Sequence, residues 1–192
     1  MSTEITQQIL YLAELNRNPI CLYINSPGDS VSAGLAIYDT MKSCGCDIIT
    51  VCNGTAASMG AFLLASGTKG MRYCMPHAEV MIHQVMGGIQ GQASDIEICA
   101  EHIRNKKNIL NNLLSEMTGQ PVEKISIDTD RDYYMSAAQA LAYGMVDHIG
   151  RPDRYYRNNS GSPCGTWHVY LLRTGFCSLC VLISYDFVPQ SG

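Results

Sequence analysis

The chain has 192 residues, 46% of them hydrophobic, and a formal net charge of −4 at pH 7. That length supports one ordinary domain with a sizeable core, and the acidic balance argues against nucleic acid or an anionic membrane as a partner. No apolar stretch reaches membrane-spanning length, and Met1-Ser2-Thr3-Glu4 shows neither the basic nor the apolar region of a secretory signal.

The nine cysteines are an odd number, and several fall inside apolar runs. Free buried thiols in a reducing compartment fit them better than a disulfide framework. Cys177-Ser178-Leu179-Cys180 is a lone C-x-x-C with no second pair to complete a zinc site, so no metal centre is expected.

Residues 3–15 place Ile5, Ile9 and Leu12 on one helical face, with Ser2 as N-cap. Ile20-Cys21-Leu22-Tyr23-Ile24 is a continuous apolar strand of the kind buried on both faces of a parallel sheet. A turn by composition, residues 25–30, leads to a helix over 31–41, and the run Ile48-Ile49-Thr50-Val51-Cys52 is the next strand. Glycine and small residues over 53–58 then crowd around Ser58, and Ala61-Phe62-Leu63-Leu64-Ala65 follows as a helix. Alternation of strand and helix predicts βαβ units. It leaves two loops, 25–30 and 53–58, at the C-terminal ends of strands, where ligands bind in open α/β sheets.

Short strands are expected at 71–74 and 79–82, with His83 closing the second, followed by a glycine-rich segment over 87–92. The longest helix signal is 93–117, where Ile96, Ile103, Leu110 and Met117 recur one heptad apart. Its apolar face either packs on this core or on another subunit, and the pattern does not separate the two. A short helix over 122–127, a charged loop over 128–132, a capped helix opening at Ser136 and a last strand over 146–149 complete the sequence to Gly150. From Arg151 onward there is no Lys, Glu, Ala or Met. Residues 151–192 therefore read as an appended tail beside a domain over 1–150, with a linker-like 157–163 and an apolar run over 176–183 that would invite aggregation if exposed.

Ser58, His83 and Asp132 are the chemically suggestive set. A hydroxyl needs a base to become a nucleophile, an imidazole can take its proton, and a carboxylate fixes the imidazole tautomer. Each has a plainer reading as an N-cap serine, a strand-end histidine and a solvated carboxylate. On chemistry alone His77, Ser26, Asp130 and Asp147 compete with them.

Several longer runs carry a resemblance: Leu22-Tyr23-Ile24-Asn25-Ser26-Pro27-Gly28, Ala56-Ala57-Ser58-Met59-Gly60-Ala61-Phe62-Leu63-Leu64, Val80-Met81-Ile82-His83-Gln84, Asp130-Arg131-Asp132, and residues 34–41, 87–98 and 143–147. Over about residues 6–149 the chain resembles the proteolytic subunits of Clp proteases, the ClpP family. That resemblance implies a crotonase-like α/β fold, a single domain of repeated βαβ units with a protruding handle helix, plus the tail. It implies a serine endopeptidase with Ser58 as nucleophile, His83 as general base and Asp132 as the orienting acid. The oxyanion hole would use the backbone N–H groups of Asp29 and Met59, and Gly28, Gly87 and Gly88 would lie against the substrate backbone. It further implies two stacked seven-membered rings enclosing a chamber, fed unfolded polypeptides by an ATP-driven AAA+ unfoldase. The chain has no G-x-x-x-x-G-K-[ST] loop, so ATP chemistry is assigned to that partner and no cofactor to this chain.

Three departures from the family pattern stand out. Asp29 occupies a position usually held by glycine, and its carboxylate would disfavour a nearby oxyanion. The family's N-terminal gating segment is expected to be missing, and the tail from Arg151 does not match. They motivate a second reading, a catalytically weak structural ring subunit. A third, an acyl-CoA enzyme, shares the fold but not the serine–histidine–aspartate set. Cytoplasm fits the free cysteines, and a longer natural N-terminus would admit an organelle.

Overall fold

The computed structural model describes residues 2–15 and 17–152, together with strands Tyr170–Leu171 and Cys180–Ser184. Six helices and a mixed sheet make up the described part. In chain order they are α1 (Ser2–Leu15), β1 (Ile20–Ser26), α2 (Val31–Ser43), β2 (Ile48–Ala57), α3 (Met59–Ala65), β3 (Arg72–Cys74) and β4 (Glu79–Ile82). There follow α4 (Ala93–Thr118), α5 (Val122–Asp128), β5 (Tyr133–Ser136), α6 (Ala137–Tyr143), β6 (His148–Ile149), β7 (Tyr170–Leu171) and β8 (Cys180–Ser184).

The apolar runs behave as their composition demands. β1 and the first half of β2 are parallel neighbours, Ile20 facing Ile48 through Ile24 facing Cys52. Helices cover one face: Ile5, Ile9 and Leu12 of α1, Ile37 and Met41 of α2 and all of α3 are buried against the sheet. A smaller cluster of Cys21, Ile49, Val51 and Tyr73 covers the other face. Strands with both faces occupied read as unbroken hydrophobic runs rather than as an alternation.

β2 departs from the expected loop over 53–58. The strand runs on to Ala57, because two extra residues form a bulge and pairing then resumes. The register shifts between Ile24 facing Cys52 and Ser26 facing Ala56. Gly54 takes φ +106° in that bulge, and a β-carbon there would meet Asn25 Oδ1 at 2.7 Å. The same Asn25 oxygen accepts the Thr55 N–H at 3.1 Å, so one side chain holds the bulge. A bulge bends and twists its strand. Here β2 keeps β1 on one side, through Ser26 and Ala56, and on the other side passes from β3 to β4, which pairs in parallel with Thr55, Ala56 and Ala57.

β5 has no counterpart in the sequence reading. Tyr133, Tyr134 and Ser136 are exposed and only Met135 is buried, so the hydrophobic signal of a strand is almost absent. It pairs antiparallel with β4, Ile82 facing Tyr133 and Glu79 facing Ser136. The final strand shrinks from 146–149 to His148–Ile149, since Met145 and Val146 are core residues rather than ladder members.

The long helix α4 divides in two. Its C-terminal half packs Leu110, Leu113, Leu114 and Met117 on the core. Its N-terminal half stands clear, with Ile96 and Ile98 exposed. No helix among the described residues is long and apolar enough to cross a membrane. Cys44, Cys52, Cys74 and Cys99 are free thiols. Beyond Pro152 the tail is described only at β7 and β8, where β8 pairs antiparallel with β1. The expected linker over 157–163 lies outside the described residues.

Candidate active site

Three neighbouring strand ends converge on one spot. The sheet order runs β5, β4, β2. Ser58 is the first residue beyond β2, His83 the first beyond β4, and Asp132 the last before β5. Parallel pairing sets Ala57 beside Met81, and the Ser58 N–H donates to the Met81 carbonyl at 2.8 Å. Antiparallel pairing sets Ile82 opposite Tyr133, so the next position along the ladder sets His83 opposite Asp132.

The side chains follow. Ser58 Oγ lies 2.8 Å from His83 Nε2. His83 Nδ1 lies 3.3 Å from Asp132 Oδ1. The imidazole side chain is only 13% exposed, whereas that of Asp132 is 57% exposed. With Nδ1–H directed at the carboxylate, Nε2 is the acceptor facing the serine hydroxyl.

Ser58 is the one non-glycine among the described residues with positive φ, at 54° with ψ −121°. Such backbone costs on the order of 1–3 kcal/mol and persists only where its surroundings enforce it. Although Ser58 sits at the N-cap of α3, its side chain makes no capping bond. The plainer reading of a capping serine therefore fails: the hydroxyl is turned away from its own helix and toward His83.

Gly28 explains how the loop after β1 closes on this turn. It has φ +86°, and a β-carbon there would lie 2.6 Å from Ser58 Cβ and 2.7 Å from the Ala57 carbonyl oxygen. Only glycine permits that approach. Its N–H donates to Ser26 Oγ at 3.0 Å, which gives the buried Ser26 a positioning role rather than a nucleophilic one. Asp29 then follows Gly28 without positive φ and with an exposed side chain. A glycine's conformational freedom is therefore not needed at position 29, and an aspartate keeps the backbone N–H that a glycine would supply. Asp29 and Met59 border the same cavity as Ser58 and His83, about 440 Å³ in volume. Met59 opens α3, where helix N–H groups lack intrahelical partners. The structure thus gathers Ser58, His83, Gly28, Asp29 and Met59 around one cavity, with Asp132 behind the histidine. Gly87 and Gly88 are exposed in the segment that leaves His83, outside the residues lining the cavity.

The competing residues are otherwise engaged or remote. Asp147 forms a two-pronged ion pair with the buried Arg72, at 2.8 and 2.6 Å, and also accepts the N–H groups of Gly70 and Arg72. Burial pushes its carboxyl upward, but the Arg72 bonds and charge, helped by the backbone donors, hold it below the usual carboxylate range. Asp130 accepts from Gln84 Nε2 through its carbonyl at 2.8 Å. His77 is exposed on the turn before β4. Gln84 is a residue that sequence reasoning passed over. It ties the loop before Asp132 to the chain after His83, and its side-chain Oε1 accepts from Lys107 Nζ of α4 at 3.1 Å. Only its place next to His83 could have flagged it.

Comparison with known proteins identifies the family. The family model described as Clp protease matches residues 1–153. The ATP-dependent Clp protease proteolytic subunit 2 of Prochlorococcus marinus strain MIT 9313 is 56% identical over 151 residues, 78% of this chain and 76% of the relative. The protein of the same name from strain NATL2A matches with the same identity and coverage. A match over most of the chain, at this identity, takes in the strands and turns that carry Ser58, His83 and Asp132, and the chain belongs to the Clp protease family.

Proposed function

We infer that the chain is a serine-type endopeptidase subunit of a Clp protease, in which Ser58, His83 and Asp132 hydrolyse polypeptides through an acyl-enzyme. The observation that carries this is the 2.8 Å approach of Ser58 Oγ to His83 Nε2 from a strained, non-capping backbone. Ser58 Oγ attacks the scissile carbonyl carbon as its proton passes to Nε2. The resulting oxyanion is taken by the N–H groups of Met59 and Asp29. His83 then delivers the proton to the leaving amine, the C–N bond breaks, and the acyl group remains on Ser58. Water, deprotonated by His83, attacks the ester and restores the serine. Asp132 holds the tautomer and stabilises the imidazolium.

Gly28, Gly87 and Gly88 are assigned to the substrate backbone. Gly87, which lies against Ile103 of α4, and Gly88, which has open space around it, stand in a segment that is neither helix nor strand, suited to pairing with an extended peptide. Such pairing reads backbone rather than side chains, which suits a broad range of unfolded polypeptides. The proposed chemistry uses protein groups and water, with ATP consumed by a Clp unfoldase that delivers the substrate. We assign the domain to residues 1–150 and treat 151–192 as an appendage. Assembly into seven-membered rings, stacked in pairs, is proposed from the family membership, and the exposed Ile96 and Ile98 of α4 are available for a contact between subunits. Cytoplasmic residence is supported by the free thiols of the described residues. The alternative of an inactive ring subunit is not favoured, because the three side chains stand in working order and position 29 retains a donor.

The test is Ser58→Ala against the unaltered chain, with a fluorogenic peptide and a fluorophosphonate label. The substitution is expected to abolish both cleavage and labelling. Labelling that persists in Ser58→Ala would sink the assignment of the nucleophile.

A further inference from the structure

Asp132 is the least secured of the three side chains. It is more than half exposed, and among the described residues its carboxylate meets no polar partner besides His83, at 3.3 Å. A well-seated charge-assisted bond of this kind is shorter, about 2.7–2.9 Å. The ladder brings the acid to the histidine but ends one residue short of it, because β5 begins at Tyr133, opposite Ile82. Arg131, just before the acid, is almost fully exposed.

One side chain reaches across where the ladder stops. Gln84, the residue after His83, donates from Nε2 to the Asp130 carbonyl at 2.8 Å and, at 3.5 Å, to the Asp130 carboxylate. Two residues ahead of the acid, it replaces a main-chain bond that β4 and β5 no longer make. A carboxamide can do this in only one of its two orientations, since turned about it would set an oxygen against a carbonyl. Lys107 of α4 selects that orientation. Its Nζ donates to Gln84 Oε1 at 3.1 Å. An ammonium has donors only, so it holds the amide oxygen toward itself and the NH2 group toward Asp130. Both residues are half-buried.

We propose that Gln84 is a positioning residue for the acid, with Lys107 fixing its amide: the pair pins the main chain before Asp132 and keeps the carboxylate on His83. This rests on the peptidase reading given above and deepens it. In this role Gln84 takes no part in the chemistry itself and acts through Asp132.

The experiment measures kcat and KM for a short fluorogenic peptide on the full chain in its assembled form. Gln84→Glu keeps the length of the side chain and its contact with Lys107 but loses the donor to Asp130. It is expected to lower kcat about tenfold or more with KM little changed, because the loss falls on the transition state rather than on substrate binding. Lys107→Met, which lets the amide turn, is expected to lower kcat about threefold. Lys107→Arg, which keeps a donor, should retain more turnover than Lys107→Met. The deciding comparison is made in an Asp132→Ala background, where no carboxylate is left to hold. There Gln84→Glu should cost nothing further, because residues that act as one unit are not additive. A merely structural glutamine would lower turnover by the same factor in both backgrounds. Where turnover of Asp132→Ala is too slow to follow, the rate of fluorophosphonate labelling is compared instead. Should Gln84→Glu fail to fold, the Lys107 variants decide in its place. An unchanged kcat, a loss confined to KM, or a loss repeated in full without Asp132 overturns the positioning role and leaves the peptidase reading intact. Failure of the unaltered protein to cleave or be labelled at all overturns both.

Discussion

Ser58 and Gly28 form a matched pair of backbone exceptions. Ser58 takes positive φ although it carries a side chain, and Gly28, also at positive φ, leaves no room for a side chain, which would collide with Ser58. Gly28→Ala should therefore damage catalysis more than folding. Its methyl group must push the Ser58 turn, and a displacement of that size at a reacting atom costs about 10²-fold. A kcat lowered by about two orders of magnitude, with the α/β circular dichroism retained, is the expected result. Near-normal turnover would show that the turn yields without harm. Ser58 and His83 stood out in the sequence through the runs that resemble the ClpP family, whereas on chemistry alone Ser26 and His77 competed with them. The tightness of Gly28 was not legible, because Pro27-Gly28 reads as an ordinary turn until its contact across the site is seen.

At the scale of elements, the site depends on pairings that hydrophobic pattern reveals unevenly. β1, α2 and α3 were plain from their composition, but β5 carries one buried residue among polar and aromatic exposed ones, so Asp132 looked like part of a loose charged loop. The extension of β2 was hidden for another reason: Asn53 and Gly54 signal a turn locally, and only Asn25, from a neighbouring strand, converts that turn into a bulge. Behind the site, Arg72 of β3 donates to the carbonyls of Ala65 in α3 and Met117 in α4 while pairing with Asp147. One guanidinium therefore ties the helix that follows Ser58 to the long helix. Asp147→Asn leaves that buried cation unpaired and should cost about 3–5 kcal/mol of stability, read by denaturant unfolding. Because the folded state holds Asp147 below its ordinary pKa, its contribution is fully present above the unfolded value, near pH 4. It is lost as pH falls through the lower folded value. The difference between the unaltered protein and Asp147→Asn should accordingly shrink in acid. A difference independent of pH would show that the ion pair is not its source.

On the scale of the whole molecule, α4 carries the strongest unresolved signal. Its heptad of apolar residues allowed either a core-facing or a subunit-facing role, and the structure packs its C-terminal part on this core and leaves its N-terminal part exposed. Leu110, Leu114 and Met117 meet this core, while Ile96 and Ile98 face outward, with Ile98 68% exposed. A charged residue at that outward position is expected to separate stacked rings. Ile98→Asp should reduce a particle of about fourteen subunits to about half that mass by light scattering, and an unchanged mass would remove α4 from the proposed ring contact. The convergence of β2, β4 and β5 has a consequence for how errors propagate. No side chain has to bring Ser58, His83 and Asp132 together, because two ladder offsets, one parallel and one antiparallel, place them. Catalysis thereby becomes a readout of strand alignment. Val80 and Met135, which face each other inside the core and never touch a substrate, safeguard the alignment of the acid. A slip of a single residue between β4 and β5 would turn every side chain of one strand to the wrong face, so the same packing that keeps the core dry also proofreads the triad.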